Sequence, residues 1–96
     1  MSVCTGAFQL RAGRPPLRQA RHDPPRLRSD RLAKQFPDIE VRRGLRFVES
    51  SPKLATAGGL SSGIDLALRV VERYFGRPTA ERTATYMEYQ GRGWVV

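Results

Sequence analysis

Cys4, the chain's single cysteine, sits beside Thr5 in the run Ser-Val-Cys-Thr-Gly-Ala-Phe at residues 2–8. A thiol becomes a useful nucleophile when positive charge or the N–H groups of a helix start lower its pKa. A strand of small residues that ends on Cys4 and continues through Thr5 and Gly6 fits a tight strand-to-helix turn. There the following N–H groups would favour the thiolate and could hold a developing oxyanion. The competing reading is a buried, inert thiol, the commoner fate of a lone cysteine in a small domain. One cysteine cannot form an internal disulfide. One cysteine and one histidine without ligand spacing give no support for a metal, and no cofactor is expected.

A turn of that kind has to be held by a sheet and helices, and residues 30–92 read as α/β sequence. Leu32, Ala33 and Phe36 give a short amphipathic helix stopped by Pro37. Ile39 and Val41, then Leu45 and Phe47, alternate around Arg43-Gly44, which predicts two short strands or a strand and a turn. Lys53–Ala57 predicts a brief strand ending at the paired glycines Gly58 and Gly59.

The best-formed helix follows, with Ile64, Ala67, Leu68, Val71, Tyr74 and Phe75 spaced as one apolar face. Ser62 and Asp65 match the serine-x-x-acid start signature, so capping is the favoured role for Asp65 over catalysis. Gly76 and Pro78 close the helix, and a second is expected from about 79 to 87 with Ala80, Ala84 and Met87 inward. Tyr86, Tyr89 and Trp94 fit the end of an amphipathic helix better than a stacking platform for nucleic acid. No internal repeat is visible.

The formal charge of +8 is distributed unevenly. Residues 9–29 hold six arginines against one acid, a net of +5, and four of the seven prolines; the rest of the chain is only +3. Two compositions are joined, which weakens nucleic acid as a partner. The start does not read as a secretory signal, and no apolar run approaches the ~20 residues of a membrane helix. A soluble, cytoplasmic protein with no membrane partner is expected.

The run at residues 2–8, joined to Leu-Ala-Thr-Ala-Gly-Gly-Leu-Ser-Ser-Gly-Ile-Asp-Leu-Ala-Leu-Arg-Val-Val-Glu-Arg-Tyr-Phe-Gly and Thr-Ala-Thr-Tyr-Met-Glu-Tyr-Gln-Gly downstream, resembles the ThiJ/PfpI superfamily. Within it the isonitrile hydratase-like branch is most similar, with the ligand-sensing domains of some AraC-type regulators nearby. The resemblance covers residues 2–8 and about 30–92, and Gly-Ile-Asp-Leu-Ala-Leu is its most specific part. It implies a fold related to class I glutamine amidotransferases: a flavodoxin-like three-layer sandwich with a nucleophile elbow. It implies Cys4 as the elbow cysteine, and Thr5 as orienting a substrate or supplying a backbone N–H. By the same resemblance Gly6, Gly58, Gly59, Ser61 and Asp65 lie on the substrate-side turn, loop and helix start. Loop geometry remains the simpler reading for the glycines. A small-molecule substrate and a homodimer are further implications.

The chain departs from the family in two ways. It corresponds to the C-terminal half of the domain, so an incomplete sheet and impaired activity are expected, with independent folding in doubt. Residues 9–29 have the family's spacing but not its residues. A back-translation of Arg14–Arg26, read one nucleotide later, permits Gly-Leu-Leu-Ser-Gly-Lys-Arg-Ala-Thr-Thr-His-His, the family's text. The arginine-rich block is therefore read as an out-of-frame segment without an evolved role, and His22 as incidental. Three function classes follow in order: a cysteine-dependent hydratase or hydrolase, a ligand-sensing domain of a transcription regulator, and a basic nucleic-acid-binding protein.

Overall fold

The computed structural model describes residues 1–3, 19–20, 31, 33–42 and 44–96. Strands β1 (Ser2–Val3), β5 (Leu54–Ala57) and β4 (Phe47–Ser51) form one sheet in the order β1-β5-β4. β1 runs parallel to β5 with Ser2 opposite Thr56 and Val3 opposite Ala57, whereas β4 runs antiparallel to β5. The β4–β5 hairpin turns tightly at Pro52-Lys53, and its register shifts between Glu49 and Ser51. β5 is the central strand, so Ala55, Thr56 and Ala57 are buried in succession instead of alternating.

A second, two-stranded sheet pairs β2 (Gln19–Ala20) with β3 (Glu40–Val41) in parallel. Residues 31 and 33–35, between those strands, are helical, and the chain turns after them with Ile39 N–H donating to the Phe36 carbonyl at 3.1 Å. The sequence pattern assigned no element to residues 19–20. The parallel pairing there is a non-local interaction that leaves no period in so short a run.

Helix α1 (Leu60–Phe75) lies between the sheet and helix α2 (Arg77–Tyr86). Leu66 and Val70 pack toward Ala55, Ala57, Val3 and Phe47 of the sheet. Leu68, with Ile64 and Val71, packs against Ala80, Ala84 and Trp94. The helix is therefore apolar on two sides, and the single face expected from sequence missed the fully buried Leu66. Tyr74 and Phe75, counted in that face, stand in solvent in the last turn before the Gly76 bend.

Three further corrections concern helix ends. α1 starts at Leu60 with Gly59 as its cap residue in an extended conformation, not at Ser62. Ser62 is consequently buried inside the helix, and Asp65 lies beyond the first turn, where it cannot act as a cap. α2 begins at Arg77, with Pro78 in its first turn, and not at 79. It ends one residue before Met87, which is half exposed, because Glu88 takes a left-handed conformation (φ 55°) and reverses the chain. Gly76 closes α1 as expected, its N–H donating to the Glu72 carbonyl at 2.8 Å. Ala80 and Ala84 are buried as expected.

The C-terminal segment belongs to the core. Trp94 is fully buried although it lies outside any helix, and its indole N–H donates to the Gly91 carbonyl at 3.1 Å. Among the described residues no helix is long and apolar enough to cross a membrane.

Candidate functional site

The register of β1 on β5 sets the geometry around the sequence-predicted site. Val3, the last described residue of β1, is opposite Ala57, the last residue of β5. β5 then continues through Gly58 and Gly59 directly into α1. This is the carboxyl edge of the parallel pair, the side on which open α/β sheets bind ligands. Gly63 lets α1 come down onto β1: a Cβ there would stand 2.8 Å from Val3 Cγ1, closer than a side chain allows. Cys4, Thr5 and Gly6, which follow Val3, and His22 lie outside the described residues.

Gly58, Gly59, Ser61 and Asp65 are described, and the structure joins Gly58, Ser61 and Asp65 through a residue that the sequence pattern did not single out, Arg46. Arg46 lies immediately before β4, and its carbonyl accepts the Gly58 N–H at 3.0 Å. Its side chain reaches across the same bend. Arg46 Nε donates to Asp65 Oδ2 at 2.6 Å, and Nη2 donates to Ser61 Oγ at 3.1 Å. Main chain and side chain of one arginine thus hold both ends of the β5–α1 connection.

Asp65 is 1 % exposed, and its carboxylate is held by one further group as well as by Arg46. The Tyr89 hydroxyl donates to Oδ1 at 3.0 Å. Gly93 presses against the other oxygen, where a Cβ would be 2.6 Å from Oδ2. The hydrogen bond to Asp65 holds the Arg46 pKa above its ordinary value against the opposing effect of burial. Burial, with the Asp65 hydrogen bond second, pushes the Tyr89 phenol upward as well. Both groups keep their protons at neutral pH, so each can donate to Asp65.

Asp65 is therefore an anchor inside α1. Its oxygens face Arg46 and Tyr89, so the capping role expected from sequence is replaced by an ion pair across the fold. Arg46, Tyr89 and Gly93 were missed because each meets Asp65 across a long stretch of chain. An apolar groove of about 260 Å³ runs between α1 and α2, with Val3, Leu60, Gly63, Ala67 and Met87 among its walls. Among the described residues no group of three or more histidine, cysteine or acidic side chains could hold a metal ion.

Neither a protein-family model nor a curated protein matches the chain.

Proposed function

We propose that this chain carries the cysteine half of a ThiJ/PfpI-type site and acts on a small molecule with an electrophilic carbon, as an isonitrile hydratase-like hydratase or hydrolase. The observation that supports this reading is the parallel pairing of β1 with β5, which sets Val3 opposite Ala57. Val3, the residue before Cys4 in the sequence, stands at the edge where Gly58 and Gly59 lead to the start of α1. Helix N–H groups at such an edge favour a thiolate over a thiol. Completing the three-layer sandwich and its elbow is part of the same proposal.

In the reaction the Cys4 thiolate forms a carbon–sulfur bond to the terminal carbon of an isonitrile-type group, and that carbon takes a proton to give a thioimidate. Water then adds to the carbon as sulfur leaves, returning the thiol and giving the hydrated product. Thr5 orients the substrate or supplies an N–H to it. The groove that shares Val3 with β1 offers about 260 Å³ for a small apolar substrate. No nucleic acid, membrane or cofactor enters this scheme, and a homodimer is compatible with it.

The test is the pH dependence of iodoacetamide alkylation at the single cysteine, with Cys4→Ser as the blank. An alkylation midpoint at least about one unit below the ordinary thiol value of ~8.5 is expected. A midpoint at or above the ordinary value would overturn the reading.

A further inference from the structure

We infer that Arg46 is a positioning residue: it fixes the Gly58–Ser61 bend and, on the reading just proposed, shapes through that bend the surroundings of the Cys4 thiol. The bend is the only covalent link between β5 and α1, and two of its residues are glycines. Glycine pairs have the least backbone restraint of their own. Beside the Gly63 N–H bond to the Gly59 carbonyl at 3.0 Å, the restraint comes from Arg46, through its carbonyl to Gly58 N–H, its Nη2 to Ser61 Oγ and its Nε to Asp65 Oδ2.

The geometry separates holding the bend from supplying charge. Two nitrogens of one planar guanidinium meet two acceptors on successive turns of α1, Ser61 at 3.1 Å and Asp65 at 2.6 Å. A lysine ammonium keeps the charge but is a single point on a flexible stem, without the fixed fork. Asp65 is locked from its other side by Tyr89, so the guanidinium cannot follow a shifted carboxylate without breaking its link to Ser61.

The experiment compares the wild-type chain with Arg46→Lys, Ser61→Ala and Tyr89→Phe. It reads amide hydrogen exchange at Gly58–Ser61 and the alkylation midpoint of Cys4. Losing one charge-assisted hydrogen bond corresponds to exchange faster by roughly tenfold or more through local opening. Arg46→Lys is expected to show that acceleration at the bend together with a shifted Cys4 midpoint. Ser61→Ala, a change at an exposed side chain, should show a smaller acceleration of the same kind. Tyr89→Phe, which removes a partner of Asp65 but none of the bend, should leave exchange at Gly58–Ser61 near wild type and is the control for lost stability.

Wild-type exchange in Arg46→Lys would overturn the inference, since Arg46 would then act as a charge alone. Equal acceleration in Tyr89→Phe would overturn it too, by reducing the effect to general loosening. An ordinary thiol midpoint in the wild-type chain sinks the proposed function but leaves the exchange comparison as a test of Arg46 on its own.

Discussion

Gly93 and Asp65 touch so closely that a Cβ at residue 93 would stand 2.6 Å from Oδ2 and 2.9 Å from Cγ of the carboxylate. A free carboxylate would swing away from such a contact. This one cannot, because Arg46 holds the same oxygen and Tyr89 holds the other. Gly93→Ala therefore has to displace either the C-terminal segment or the ion pair. Overpacking of this kind costs about 1–3 kcal/mol. A urea unfolding midpoint unchanged from wild type would show that the contact relaxes freely.

The Tyr89 hydrogen bond and the Arg46 ion pair converge on one carboxylate, so their removal should not add. Asp65→Ala leaves a partly buried tyrosine hydroxyl without its acceptor and deletes the ion pair. Arg46 is 46 % exposed and can recover water, which moderates the loss to about 2–3 kcal/mol. Tyr89→Phe alone should cost about 1 kcal/mol. In the Asp65→Ala background the same Tyr89→Phe change should cost close to nothing, giving a coupling energy of about 1 kcal/mol in a double-mutant cycle of unfolding free energies. Strict additivity would show that the hydroxyl draws its stability from elsewhere.

Alkaline pH probes the same tyrosine. Burial, followed by the hydrogen bond to Asp65, raises the folded-state phenol pKa above its ordinary value. Below the unfolded value of about 10 the phenol is protonated in both states, and its contribution to stability is complete. Above that pH the unfolded chain releases its proton first, so stability falls until the folded pKa is passed. Denaturant midpoints followed upward from about pH 9 should decline more steeply for the wild-type chain than for Tyr89→Phe. Parallel declines would remove Tyr89 as the cause.

What the sequence made legible was local. The brief strand at Lys53–Ala57 is visible before its glycine pair, which marks the way into α1, and Gly76 marks the end of it, because each depends on neighbouring residues. The alternation of Ile39 and Val41, then Leu45 and Phe47, marks β3 and the start of β4 but not the pairing of β4 with β5. The Ser62–Asp65 pair shows the limit of such patterns. The same text can cap a helix that starts at Ser62 or lie inside one that starts at Leu60, and only packing distinguishes the two. Burial of Leu66 could not be read from one stripe, because α1 meets a sheet on one side and α2 on another. The cluster around Asp65 was the least legible part. Its partners lie nineteen and twenty-four positions away at Arg46 and Tyr89, and neither spacing belongs to a helix or strand period.

Trp94 offers a built-in reporter of the C-terminal segment, because it is the single tryptophan and is fully buried. Arg77 and Arg92 lie over its ring at 5.5 and 5.4 Å from the centroid. Each arginine is itself held in place, Arg77 by Glu72 at 2.7 Å and Arg92 by Glu81 at 3.0 Å. The indole thus joins α2 to the residues that follow it, filling the space beside Leu68, Ala80 and Ala84. Trp94→Ala should empty that space at a cost of about 3–5 kcal/mol. Arg77→Ala removes one cation and its stem, and should cost only about 1 kcal/mol. In the intact chain the emission of Trp94 should be blue-shifted and resistant to acrylamide, and Gly93→Ala should shift it toward red if the clash moves the C-terminal segment. Unchanged emission alongside a lowered unfolding midpoint would place the strain of Gly93→Ala on the Arg46–Asp65 pair instead.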